Sequence, residues 1–238
     1  MTRHELIRCA TPADAAVAAA GVIHGELSSR LAVAATASLA LSGGSSPGPM
    51  VDRLAASELD WDRIEVFQVD ERVAPDGDPA RNLTGLRARL TDQVLPDERL
   101  HAIPVGMGAA AAAADYAATL ATVLGEPAVL DVVHLGRGDD GHTASLVPGD
   151  AALEVTAADV VATADYRGHR RVTLTYPALG RARVVVWLVT GADKRGPLAR
   201  LLEGDPSIPA GRVDGPRSIV CCDADAAPER ATPLTAGR

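Results

Sequence analysis

The chain alternates short, almost wholly apolar runs with longer stretches in which small and polar residues are interleaved. Residues 37–41, 64–69, 130–135, 184–189 and 218–222 form the apolar runs. Unbroken runs of this length, without a polar residue at every second position, are the pattern of strands buried on both faces. Between them the pattern turns helical. Thr11 supplies a hydroxyl N-cap and Pro12 suits a first helical position, so a helix is expected to about Ser29. Further helices are expected over 49–56, 83–94, 109–124 and from Lys194 to Leu202. Strands alternating with helices predict a mostly parallel sheet covered on both sides, an α/β fold. No internal repeat or linker interrupts the pattern. The segment 75–79 reads as a loop, one domain is expected over 1–238, and residues 229–238 are expected to fray.

Composition sharpens this picture at three points. The 238 residues include 45 alanines but only 6 aromatic side chains, so packing must come from small-residue helices lying close to the sheet. The net charge of −8 lacks the basic footprint of a nucleic-acid surface, so no nucleic-acid partner is expected. Basic residues are 22 arginines and a single lysine, Lys194. No apolar run approaches the roughly 20 residues that span a bilayer, and the opening MTRHELIRCATPADAA has no signal-type core. Cys9, Cys221 and Cys222 offer no disulfide framework. A soluble, cytoplasmic chain without a membrane partner is expected.

Four polar clusters follow expected strands: 42–47 (Ser-Gly-Gly-Ser-Ser-Pro), Asp70-Glu71-Arg72, 136–143 and 191–194. Parallel strands share a direction, so these loops converge beyond one edge of the sheet, where open α/β folds bind ligands. The first cluster suits a phosphate, because its glycines let backbone N–H groups turn toward an anion and a helix N-terminus follows. Gly44 to Gly48 also spells G-x-S-x-G, but Pro47 has no N–H to lend an oxyanion hole, which disfavours a Ser46 nucleophile. Gly136 to Gly141 spells G-x-G-x-x-G, but Asp139 and Asp140 would meet a pyrophosphate with carboxylates. His142 stands in this glycine-flanked loop, placed to exchange protons near neutral pH. The other histidines (4, 24, 101, 134, 169) form no metal-ligand spacing, and HExxH and CxxC are absent, so no metal or other cofactor is expected. Arg72 and Lys194 are natural phosphate partners, with Arg171 a further cation, and both Asp70 and Glu71 are expected to face the cleft.

These residues, in this order, resemble the 6-phosphogluconolactonase family. The likeness runs from 41–47 through Asp70-Glu71-Arg72-Val73 and Asn82 to the most specific stretch, Gly138-Asp139-Asp140-Gly141-His142-Thr143-Ala144-Ser145-Leu146 with Pro148-Gly149. Arg171 to Thr175, Val189 to Lys194, Ile208-Pro209-Ala210 and 223–227 complete it. The resemblance implies a three-layer α/β/α fold with a Rossmann-like sheet, shared with glucosamine-6-phosphate deaminase and ribose-5-phosphate isomerase. It implies a metal-free hydrolase that opens 6-phospho-D-glucono-1,5-lactone, with His142 as base and Arg72 and Lys194 on the phosphate. The candidate catalytic residues are His142, Asp140 and Asp70. Ser42, Gly43, Gly44, Ser45 and Arg72 are expected to bind the sugar phosphate, together with Asn82, Thr143, Arg171 and Lys194. The partner is then a small sugar-phosphate lactone, bound by a monomer or a small homo-oligomer. A sugar-phosphate deaminase or isomerase on the same fold, or a non-catalytic sensor, are the rival readings. Arg137 replaces a commonly hydrophobic residue, Arg81 a frequent serine, Val147 a usual phenylalanine, and Cys221-Cys222 expected aromatics.

Overall fold

The computed structural model describes residues 4–44 and 46–228; residues 1–3, Ser45 and the tail 229–238 lie outside the described residues. Among the described residues ten strands occur in chain order: β1 (His4–Arg8), β2 (Ala37–Leu41), β3 (Ile64–Gln68), β4 (Asp70–Arg72), β5 (Leu100–His101), β6 (Val132–Leu135), β7 (Val160–Ala162), β8 (Arg171–Leu174), β9 (Val184–Val189) and β10 (Ser218–Cys222). Seven of them form one parallel sheet in the order β1-β10-β9-β6-β2-β3-β5. The interior strands β2, β3, β6, β9 and β10 are buried at every residue, which accounts for their predominantly apolar sequences.

The described residues also form six α-helices: α1 (Pro12–Leu31), α2 (Gly48–Ala55), α3 (Asn82–Arg89), α4 (Ala109–Leu124), α5 (Tyr176–Gly180) and α6 (Arg195–Leu202). One apolar cluster joins α1, α2 and α3 to one face of the sheet through Ile23, Leu27, Met50, Leu54, Leu86 and Leu90. The other face carries α4, α5 and α6, with Tyr116, Leu179 and Leu198 among its buried side chains. The layers are therefore α/β/α. Thr11 caps α1 in a reciprocal box with Asp14, its hydroxyl accepting from the Asp14 N–H at 3.1 Å. Gly108 and Gly125, both at positive φ, bound α4 at the expected residues.

Beyond the short elements β1, β5 and α5, which the sequence pattern does not predict, two features depart from the sequence expectations. The helix expected over 83–94 ends at Arg89, where the Leu90 carbonyl takes N–H groups from Gln93, Val94 and Leu95 and folds the chain into a turn. A second sheet, β4-β8-β7, is antiparallel and lies on the α4 side. Its Val160, Val172 and Leu174 belong to the same apolar cluster as Phe67 and Trp187 of the large sheet. The chain passes from one sheet to the other at Val69, whose N–H donates to Leu41 at 3.0 Å and whose carbonyl accepts from Leu174 at 2.9 Å.

The chain runs from β2 outward through β3 to β5 and then returns to place β6 on the opposite side of β2. Neighbouring strands whose outgoing chains diverge leave a crevice at their carboxyl ends. The loops after β2 and β6 flank that crevice.

Candidate active site

A cavity of about 240 Å³ opens there, walled by loops from β2, β6 and β9 and by the small sheet. Of the residues expected to bind a sugar phosphate, Ser42, Gly43, Gly44 and Arg72 lie in its wall, as do Asn82, Arg171 and Lys194. The catalytic candidates Asp70 and His142 lie there too. Ser42 Oγ donates to the His134 carbonyl at 3.0 Å, tying the β2 loop to β6 across the crevice. A Cβ at Gly43 would overlap Asn82, so glycine is required for this close approach. Ser45 falls outside the described residues. Thr143 is fully buried, and its hydroxyl donates to the Gly136 carbonyl at 2.9 Å, closing the loop from within rather than forming wall.

The small sheet aims the cations. In β4 alternate residues face opposite ways, so Asp70 and Arg72 reach the cavity while Glu71 turns inward. Glu71 is thus not a cleft residue as expected. It is completely buried and accepts from the backbone N–H groups of Arg72, Asn82 and Leu83 at 2.8, 2.8 and 2.9 Å, fixing the start of α3. Arg72 and Arg171 are register partners on β4 and β8. Two like charges directly opposed on paired strands repel, which favours an anion between them. Asp70 shares the cavity wall with them. Burial pushes its carboxyl up, while the Ser145 hydroxyl, donating at 2.6 Å, and the Arg171 charge pull the other way.

The loop after β6 carries the titratable pair. Asp140 Oδ1 lies 2.5 Å from His142 Nδ1 and also accepts the His142 backbone N–H at 3.1 Å. Because a carboxylate can only accept, Nδ1 bears the hydrogen and Nε2 is left as the basic nitrogen. Burial raises the Asp140 carboxyl, but hydrogen bonds from the His142 N–H, the Tyr166 hydroxyl and the His142 ring outweigh it and hold the group down at about 2. Asp140 itself is not in the cavity wall; it stands behind His142. A Cβ at Gly138 would overlap the His142 ring, and Ala144, also in the wall, is held at φ 51°. Asp139, Asp140 and His142 are the only group of potential metal ligands this close together among the described residues, with one ligand atom each within 4.8 Å. Their atoms are already engaged: Asp140 with His142, and Asp139 Oδ1 with Arg167 at 3.0 Å.

Comparison with known proteins bears on this arrangement. The family model described as glucosamine-6-phosphate isomerases/6-phosphogluconolactonase matches residues 10–221. A 6-phosphogluconolactonase of Nostoc sp. is 42% identical over 169 residues, covering 68% of this chain and 70% of that one. One of Mycobacterium tuberculosis is 34% identical over 231 residues, covering 90% and 94%. This chain belongs to the glucosamine-6-phosphate isomerase/6-phosphogluconolactonase family. Among solved structures, the 6-phosphogluconolactonase from Trypanosoma brucei superposes with a TM-score of 0.86 at 26% identity, covering 95% of this chain and 98% of that one. That from Shewanella baltica gives 0.84 at 27%, with 93% and 98% covered.

Within the family frame, the departures noted in the sequence fall at definite places. Arg81 is buried between Glu71 and Asp76, at 3.4 and 3.3 Å. Val147 is a core residue, and Cys221 and Cys222 are buried on opposite faces of β10. Arg137 is in the cavity wall. It is buried and donates through Nη2 to the Lys194 carbonyl at 3.1 Å, while Nε and Nη1 have no partner. Burial lowers its pKa to about 10, with Asp193 and Asp140 opposing, so it remains a cation at neutral pH. Lys194 lines the cavity, and its Nζ pairs with Asp193 at 2.6 Å. His134, which has no metal-ligand spacing in the sequence and is not among the expected site residues, is also in the wall. Its ring is buried with both nitrogens unpartnered, and burial alone pushes its pKa down to about 4. Only its place at the end of an apolar strand hinted at this.

Proposed function

We propose that this chain is a 6-phosphogluconolactonase, hydrolysing 6-phospho-D-glucono-1,5-lactone to 6-phosphogluconate without metal or covalent intermediate, in the oxidative pentose phosphate pathway of the cytoplasm. The reading is supported above all by one juxtaposition: a carboxylate-backed histidine and four cations, Arg72, Arg171, Lys194 and Arg137, on a single small cavity. The cations and the loop from Ser42 anchor the phosphate and so fix the lactone ring for attack. His142 Nε2 takes a proton from water as the oxygen attacks C1. The negative oxygen that forms at C1 is met by backbone N–H groups of Gly43 and Gly44. The imidazolium, held by Asp140, then returns its proton to the departing ring oxygen. Asp70, whose carboxyl burial pushes up, is held by the Ser145 hydroxyl at the edge of the cation cluster. We read the protein as a monomer or small homo-oligomer whose partner is this small lactone.

The test is lactone hydrolysis measured above its spontaneous background, beside turnover of an amino-sugar phosphate. Hydrolysis of the lactone alone is expected. His142→Ala should lower kcat by about 10²–10⁴ with KM little changed. Turnover of the amino sugar instead, or binding without turnover, overturns the reading.

A further inference from the structure

Tyr166 stands outside the cavity wall yet touches both members of the acid–base pair. Its hydroxyl donates to Asp140 Oδ2 at 2.8 Å, on the carboxylate oxygen that His142 leaves free. Its ring meets the His142 imidazole edge-on, with centroids 5.5 Å apart. The tyrosine is itself held in place. Its N–H donates to the His169 carbonyl at 3.0 Å, closing the turn between β7 and β8. The guanidinium groups of Arg167 and Arg171 each lie 5.1 Å from its ring centroid, and Arg171 Nη2 donates to its carbonyl at 3.3 Å. Arg167, at the tip of the turn with φ 52°, donates to Asp139 and so pins the turn to the histidine loop.

We infer that Tyr166 is a positioning residue for the Asp140–His142 pair, an inference that rests on the acid–base reading of His142. A carboxylate held through one oxygen can rotate about its Cβ–Cγ bond. Anchoring Oδ2 on Tyr166 fixes the plane of the carboxylate, and the edge contact limits the tilt of the imidazole. Nε2 is then directed at one point in the cavity. The tyrosine keeps its proton throughout; only His142 gains and loses one. The same hydroxyl draws on the charge of Asp140, tempering its pull on the imidazolium. The other charged groups facing the pair are Asp139 and Arg167 on the exposed side and Arg137 in the wall. Since Arg171 both lines the cavity and grips Tyr166, the turn also connects the cation cluster to the base.

Tyr166→Phe keeps the ring and removes only the hydroxyl. It should lower kcat about tenfold, through the lost orientation of the base, with KM unchanged. The acidic limb of the pH–rate profile should move to higher pH, because Asp140 then holds the imidazolium proton more strongly. In an Asp140→Asn background the same change should cost nothing further, since the tyrosine acts through that carboxylate. Wild-type kcat and an unshifted profile in Tyr166→Phe, while His142→Ala is inactive, overturn this inference alone. A raised KM at unchanged kcat overturns it too, assigning Tyr166 to substrate binding through Arg171. Full activity in His142→Ala instead removes the acid–base reading on which it stands.

Discussion

Arg137 bears a cost that packing alone does not explain. A buried guanidinium with two unpartnered nitrogens is worse for the fold than an apolar side chain of similar length. Its benefit lies in the field it sends into a cavity already holding Arg72, Arg171 and Lys194. Arg137→Met is therefore expected to keep or raise the melting temperature and to raise KM for the phosphorylated lactone about tenfold. A KM equal to wild type would remove Arg137 from anion binding. Residues in the β6 loop were legible in the sequence because glycine spacing and a histidine stand together at a strand end. The orientation of Asp70 and Glu71 was not. Adjacent acids look alike in a sequence, and only pairing with β8 decides that one faces the cavity and the other the core.

Glu71 shows how an element can be fixed by a single side chain. Its carboxylate gathers three backbone N–H groups, a Gln68 amide hydrogen at 2.9 Å and Arg81, and thereby sets β4 against the start of α3. Glu71→Ala leaves those donors buried without an acceptor and should destabilise the protein by about 3 kcal/mol or more, read by urea unfolding. The same variant should lose activity, because Arg72 and Asn82 are placed through it; stability within about 0.5 kcal/mol of wild type would refute this role. Elements with strong local signals were read correctly from the sequence. The capping box at Thr11 and the glycines around α4 fix their helices without tertiary help. Strands β1, β4, β5, β7 and β8 are not marked by apolar runs of their own, since segments of two to five residues pair only because a neighbouring strand is already in place.

Over the whole molecule, the parallel sheet and the convergence of its loops followed from the order of apolar runs, and the family likeness from motifs strung along nearly its full length. The second sheet was hidden because its strands carry Asp-Glu-Arg and Arg-Val-Thr-Leu, which do not announce a buried surface. Global stability should also register His134. Its ring is held neutral in the fold, with a pKa of about 4, whereas the unfolded chain binds a proton near pH 6.5. The unfolded state therefore gains protons first as pH falls. Stability should decline from about pH 6.5 to about pH 4, by on the order of 3 kcal/mol, and that loss should level off below. His4, also lowered by burial, acts in the same direction. His134→Leu should flatten much of this decline in urea titrations at several pH values. An unchanged slope would place the acid sensitivity elsewhere.

Lys194 has a consequence for chemistry done on the protein from outside. It is the only lysine among 238 residues, and its side chain opens onto the cavity. An amine-directed reagent, which labels most proteins at many places, has here one side-chain target and the α-amino group. Acylation followed by peptide mass measurement would thus report occupancy of the cavity at a single atom, Nζ. Inorganic phosphate or 6-phosphogluconate should shield it, while a neutral sugar should leave it open to label. A chain this poor in lysine carries, in effect, a built-in footprint probe for its own cavity.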